Sequence, residues 1–309
     1  MTELNVIGPG RPRAKPGYDH GWYRFSPLPS RPGLRWPDGK KAAVAILLDL
    51  RAAEWEPDGV PVPVPGGRGQ APYPDFPRMS HREFGHRVGV FRLVRMVDEL
   101  GLGWSAVVDV LTAEHYPAVV EHAIRPAWER IAGGLSASRP ITSLMAPEEE
   151  AHYVATTLQR LERALGERPR CWMSPGWSQS HRTPDVLAAA GLEVLLDFGN
   201  DEQPYPLAGA KPLWCVPVSW ELTDVAAIFE RDVDPEAYAE SLVVALERLV
   251  SDGDDGGGRM LCLHLHPWLS GEPFRAHALR RALRRLADRD DLWWTTPSAL
   301  ADHVKAVTA

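Results

Sequence analysis

Val194-Leu-Leu-Asp-Phe-Gly-Asn-Asp-Glu-Gln-Pro-Tyr205 is the stretch on which the reading of this chain turns. Its first three residues form a short apolar run, as a strand buried on both faces requires. The remainder is acidic and amide-rich, and Pro204 prevents it from continuing as a helix or a central strand. Asp197, Asn200, Asp201, Glu202 and Gln203 therefore fall at the carboxyl end of a buried strand. Parallel α/β sheets and barrels build their sites there. The same composition also suits a solvated turn, and spacing alone does not separate the two readings.

Similar signals recur on both sides. Residues 42–50, Ala-Ala-Val-Ala-Ile-Leu-Leu-Asp-Leu, read as a buried strand that carries Asp49. A charge inside an apolar run demands a partner or a function. Arg51 is the nearest partner, and Glu54 and Trp55 follow. Further strands are expected at 103–111, from 131, at 171–177, 213–221, 260–266 and 291–295. Helices are expected over 88–100, 114–130, 147–165, 183–191, 235–250, 276–287 and 297–307. The helix over 147–165 carries Glu148, Glu149 and Glu150 in its first turn, where the dipole favours acids, and Gly166 ends it. Ser80-His81-Arg82-Glu83 has the form of a capping box ahead of the helix at 88. Seven or eight strand–helix units without a break predict one parallel (β/α) barrel. Residues 1–40, rich in Pro, Gly and Arg, read as an extended N-terminal arm, with the barrel domain over 41–309. A long Pro/Gly loop is expected over 56–80 and a surface loop over 251–258.

Composition narrows the function. The net charge of −7 argues against a phosphate-backbone partner, since nucleic-acid binders carry a basic face. No apolar run reaches the roughly 20 residues that span a bilayer. Residues 1–15 lack an apolar core of signal-peptide type, so a cytoplasmic location is expected. Cys171, Cys215 and Cys262 lie far apart beside apolar segments and read as core thiols.

Familiar catalytic motifs are missing. No Gly-rich phosphate loop follows a strand, and Met173-Ser174-Pro175-Gly176 lacks the spacing of a nucleophile elbow. No His-x-x-x-His pair occurs. His264 and His266 share a strand face and suit either chelation or acid–base work. His81, Arg82, His86 and Arg87 gather at a helix start, where they oppose the dipole; an anion-binding role and a solvated surface both fit. What remains is a set of strand-end ionisable residues: Asp49, Arg51, Glu54, Arg139, Asp201, Glu202, Glu221 and His266. A carboxylate with a histidine suits general acid–base catalysis.

Several of these segments resemble the polysaccharide deacetylase superfamily. They are Asp75-Phe76-Pro77 with Ser80-His81-Arg82 and Gly85-His86-Arg87-Val88-Gly89, Asn200-Asp201-Glu202-Gln203-Pro204-Tyr205, Val216-Pro-Val-Ser-Trp-Glu-Leu222, and Leu265-His266-Pro267-Trp268-Leu269 with Gly271. The resemblance runs from about Tyr23 to the C-terminus and is nearest to the allantoinase-like branch, which acts on small molecules. It implies a distorted (β/α) barrel, hydrolysis of C–N amide bonds and a homo-oligomer. Metal-dependent members hold a divalent ion with an Asp after the first strand and a His-x-x-x-His pair. Here the two matching positions are Gly133 and Ala137, which have no ligating side chain. Where the branch tends to carry Asn-x-Glu, this chain has Asp49-Leu50-Arg51, a cation in place of a carboxylate.

The reading of the residues beside this resemblance is a metal-independent enzyme with no cofactor, acting on a small anionic or aromatic molecule. His266 is the expected general acid/base, Asp49 the base or its orienting partner, and Glu54 a further catalytic carboxylate. Arg51 and Arg139 are expected to anchor the substrate, with His81, Arg82, His86, Asp201, Glu202 and Glu221 also contacting it. Trp55, Trp172, Trp177 and Trp268 are expected to wall the cavity. The reaction is amide or ureide hydrolysis, or a cyclisation, isomerisation or elimination in specialised metabolism. A catalytically inactive binding protein is the alternative.

Overall fold

The computed structural model describes residues 20–56, 75–254 and 257–308. Nine strands among them form one sheet: β1 (Ala42–Asp49), β2 (Ser105–Val108), β3 (Glu129–Ala132), β4 (Cys171–Trp172), β5 (Val194–Leu195), β6 (Tyr205–Leu207), β7 (Leu213–Cys215), β8 (Arg259–Leu265) and β9 (Leu292–Thr295). The helices are α1 (Phe76–Phe84), α2 (Val90–Leu100), α3 (Val110–His115), α4 (Pro117–Ala123), α5 (Pro147–Leu165), α6 (Thr183–Ala189), α7 (Pro235–Asp254), α8 (Pro267–Ser270), α9 (Pro273–Ala287) and α10 (Pro297–Thr308).

The strand order is β6-β7-β5-β4-β3-β2-β1-β8, and every pairing is parallel except β6 with β7. β8 takes one edge of β1 along its length, from Ala42 opposite Arg259 to Leu48 opposite Leu265. The other edge is shared, with β9 beside Ala42–Ala45 and β2 beside Leu47–Asp49. The sheet curls into a distorted barrel with α/β architecture. Single backbone bonds close it on the far side of β8, where Met260 N–H donates to Glu202 C=O at 2.9 Å and Ser219 N–H to Cys262 C=O at 3.0 Å.

Period-2 alternation sorts the side chains into two cores. Ala43, Ala45 and Leu47 of β1 point inward with Val107, Ile131, Cys171, Met173, Val194, Leu196, Met260 and Cys262. Val44, Ile46 and Leu48 point outward to the helices, with Leu263, Leu158, Leu161 and the apolar stripe of α2. Each Leu or Ile sealed this way contributes roughly 2 kcal/mol. The three cysteines are buried, as expected of core thiols.

Several boundaries differ from the sequence reading for local reasons. Asp109 caps α3 by accepting the Thr112 N–H at 2.7 Å, so that helix begins inside the strand expected at 103–111. Pro117 divides the expected 114–130 helix, and β3 starts two residues early at Glu129. The cap of α1 is Asp75, not Ser80. A π-helical segment, Gly85–Gly89, joins α1 to α2. α7 runs on through the expected loop to Asp254.

Residues 1–19 of the expected arm and 57–74 of the expected loop lie outside the described residues. From residue 20 the arm lies across the barrel: Leu34 and Trp36 are buried, and the Trp36 indole N–H donates to Arg259 C=O at 2.8 Å. No helix among the described residues is long and apolar enough to cross a membrane.

Candidate active site

The register that pairs Leu47 with His264 puts Asp49, one step beyond the ladder, opposite His266. The inward row of small and apolar side chains on β1 and β8 thus ends in three polar ones. His264 Nε2 donates to Asp49 Oδ2 at 2.7 Å, and His266 Nε2 lies 3.4 Å from the same oxygen. Arg51 closes on Asp49 from the other side, with Nη2 at 2.5 Å from Oδ2 and Nε at 3.1 Å from both oxygens. Burial pushes the Asp49 carboxyl up, but Arg51, then His264 and His266, more than offset it and hold it well below the usual carboxylate range. A carboxylate this acidic is a poor proton acceptor. Of the two roles expected for Asp49, the geometry favours the orienting partner. Burial and then His266 lower His264 to about 4 against the pull of Asp49, so at neutral pH it is uncharged with its proton on Nε2.

His266 has a second carboxylate that the sequence reading left out. Its Nδ1 is 2.7 Å from Asp224 Oδ1, and its backbone N–H reaches Asp224 Oδ2 at 2.7 Å. The Ser270 hydroxyl donates to Asp224 Oδ2 at 2.6 Å. An ionised carboxylate only accepts, so Nδ1 carries the proton and Nε2 is left for the site. Close backbone approach places the segment that follows His266. A Cβ on Gly85 would lie 2.6 Å from Trp268 N, and Gly89 and Gly271 face each other across Pro267 with no room for side chains. That explains both glycines of Gly85-His-Arg-Val-Gly89. Asp224 left a faint trace in the sequence, a lone acid heading the apolar run Val225–Ile228.

Two cavities meet at this cluster. One is lined by Asp49, Arg51, Trp55, Arg82, Glu83, His86, Tyr116 and Trp268. The other is lined by Arg51, Trp177, Trp220, Glu230, His264 and His266. Arg82 lies over the Trp268 ring at 4.7 Å, and burial lowers its guanidinium to about 10, which leaves it cationic at neutral pH. His86 is held by the Leu50 carbonyl at 2.8 Å, and burial lowers its pKa. Trp177 has a φ of 50°, a left-handed conformation costing a non-glycine residue about 1 kcal/mol or more. It sets the indole 4.5 Å from the Trp220 ring and 5.7 Å from the His264 ring.

Other expected site residues are engaged elsewhere. Arg51 spends its fork on Asp49 and, through Nη1, on the Ser174 carbonyl at 2.9 Å, so it does not have the free donors of a substrate anchor. Glu54 accepts from Ser136, Ser138 and Arg139, whose contacts outweigh burial and lower its pKa; neither Glu54 nor Arg139 lines the two cavities. Trp172 points outward, because Cys171 and Met173 take the inward positions, and it packs against Tyr153 in the helix-facing core. Asp201 grips Arg31 of the arm at 2.5 and 2.7 Å, Glu202 faces Arg259 at 3.5 Å, and Glu221 pairs with Arg231 at the surface. His81 faces Glu272 at 3.6 Å and packs its edge on Trp268, outside both cavities. The acidic half of Val194–Tyr205 therefore holds the arm and closes the barrel.

The metal set implied by the resemblance does not fit these residues. Gly133 and Ala137 offer no donor, and a Cβ on Gly133 would lie 2.6 Å from Arg51 Cδ. Asp49, His264 and His266 do bring three donor atoms within 4.8 Å of one another. Both Asp49 oxygens, however, already hold the Arg51 guanidinium, and a divalent ion there would face that charge at close range.

No family model matches the chain. A Schizosaccharomyces pombe protein assigned as a polysaccharide deacetylase is 26% identical over 297 residues, covering 86% of this chain and 91% of its own. A crystal structure with the same assignment from Mycobacterium smegmatis is 28% identical with a TM-score of 0.73, over 90% of this chain and 94% of that one. The crystal structure of Puue allantoinase superposes with a TM-score of 0.76 at 20% identity, over 89% of this chain and 94% of that one. Barrel, motifs and relatives together point to the polysaccharide deacetylase superfamily, with an allantoinase among the structural neighbours.

Proposed function

We propose that the protein hydrolyses a C–N bond, amide or ureide, in a small anionic molecule, using His266 as a metal-independent acid/base. The observation that carries the reading is the setting of His266. Asp224 fixes one ring nitrogen, and the other faces Asp49 where the cavity that holds Arg82 meets the one lined by Trp177 and Trp220. The anionic group binds beside Arg82 and His86, and the rest of the molecule lies against Trp177 and Trp220. The bond to be broken then sits over His266. Nε2 takes a proton from the attacking water, and the imidazolium that forms has a carboxylate at each nitrogen. It returns the proton to the leaving nitrogen. Asp49 and Asp224 are orienting carboxylates in this scheme, and His264 holds Asp49 in place as a neutral donor.

The test is a panel of small ureides and carboxylate-bearing amides assayed with chelator-treated wild-type protein and His266→Ala. Hydrolysis that survives chelation and falls by about 10³-fold in the variant supports the reading. A variant that keeps its turnover contradicts it. Tight binding without turnover by the wild type points to the binding-protein alternative. Incorporation of ¹⁸O from labelled water separates hydrolysis from a cyclisation or elimination run by the same groups.

A further inference from the structure

We infer that the Arg51 guanidinium, threaded over Gly133, is a built-in cation that takes the seat of a divalent ion beside Asp49. This deepens the metal-free reading of the site and rests on it. Three observations lead to it.

The first is coordination. Two guanidinium nitrogens bond both oxygens of Asp49, and the third bonds the Ser174 carbonyl at 2.9 Å. The side chain is only 7% exposed, so the charge is bound by protein as an ion would be. The second is steric. An ideal Cβ at Gly133 would lie 2.6 Å from Arg51 Cδ and 2.9 Å from Cγ. Those atoms are the middle of the side chain and cannot swing aside while the guanidinium stays on Asp49. A side chain at 133 and the observed Arg51 exclude each other, so the missing imidazole and the added arginine are one arrangement written at two positions. The third is charge. Asp49, Asp109 and Asp197 all converge on Arg51, and each of the three is buried. Removing the cation would strand several carboxylates in the barrel mouth.

A guanidinium supplies positive charge but no open coordination position, and it cannot lower the pKa of a bound water as a metal does. Arg51 therefore holds the Asp49 carboxylate and its two histidines in place, as a positioning residue. Proton transfer is left to His266.

The test uses Co²⁺ as the probe and needs no substrate. Wild-type protein is titrated with Co²⁺ and followed by visible absorption and calorimetry, beside the triple variant Arg51→Ala, Gly133→His, Ala137→His. We expect no saturable binding by the wild type and one equivalent in the triple variant. A thermal-unfolding cycle runs in parallel. Gly133→Ala should lower Tm by about 4 °C in the wild-type background and by less than half as much beside Arg51→Ala. Saturable Co²⁺ binding by the wild type, a folded triple variant that binds none, or additive shifts in the cycle would each overturn the inference. If the triple variant does not fold, the wild-type titration and the cycle still decide. Loss of turnover in His266→Ala bears on the hydrolytic reading and leaves these results untouched.

Discussion

The acidic segment that follows β5 and the polar ends of β1 and β8 both bring carboxylates to the mouth of the barrel. In the first, Asp201 grips Arg31 and caps its own turn through the backbone N–H groups of Glu202 and Gln203, while Glu202 closes the sheet with its carbonyl. Neither residue lines either of the two cavities described above. In the second, Asp49 is wrapped by Arg51 and His264, and His266 lines the neighbouring cavity with its Nε2 3.4 Å from Asp49 Oδ2. Richness in acid does not mark the site. What distinguishes the β1/β8 cluster is a histidine hydrogen-bonded through one nitrogen, beside the two cavities.

The largest effect that separates the two regions is on turnover. His266→Ala should cost about 10³-fold, whereas Asp201→Asn should leave turnover within about twofold of the wild type. Comparable losses in steady-state kinetics would erase the distinction.

The next effect is on stability against pH. Burial depresses His264 to about 4, from an ordinary value near 6.5. A depressed histidine stabilises the fold fully above its unfolded pKa and loses that contribution as pH falls from about 6.5 towards 4, by on the order of 3 kcal/mol. Asp109 and Asp197, which burial raises to about 7 and about 6, act in the opposite direction, costing stability as pH rises through the same range. His264→Gln should therefore raise stability at pH 4 relative to pH 7 compared with the wild type, as read by urea unfolding at the two pH values. An unchanged slope would place the acid sensitivity elsewhere.

Arg82 sharpens the comparison within the site. Arg82→Met keeps a side chain on Trp268 and removes the charge. It should raise KM by about tenfold or more with little change in kcat for an anionic substrate. A fall in kcat at constant KM would assign Arg82 to the reacting atoms instead. The smallest expected effect is on the arm. Arg31 and Asp201 are partly exposed, so Arg31→Ala should cost roughly 1 kcal/mol in denaturant unfolding and leave kinetics unchanged.

Much of this was legible in the chain. Val194–Leu196 and the apolar runs at 42–50 and 260–266 place the strands, and period-2 reading puts His264 and His266 on one face. The glycine at 133 and the arginine at 51 were visible as departures from the family's metal set. The sequence could not show that they touch, because 82 residues and two strands separate them. Asp224 lies 42 residues before its partner, on a segment whose own pattern shows only an acid before an apolar run. Trp172 failed for a smaller reason. In a two-residue strand the inward set is fixed by neighbours, and a shift of one residue turns a cavity wall into a helix contact. Glu54 was expected to be catalytic and Arg51 and Arg139 to anchor the substrate, but the partners they show are within the protein.

The central claim is that Asp224 fixes His266 so that Nε2 is the working nitrogen. ¹⁵N NMR of the histidine rings, on wild type and Asp224→Asn across a pH titration, tests it most directly. The account predicts that neutral His266 in the wild type carries its proton on Nδ1 with Nε2 bare, and that this preference is lost in Asp224→Asn. A neutral wild-type ring protonated on Nε2, or a tautomer indifferent to Asp224, would contradict it.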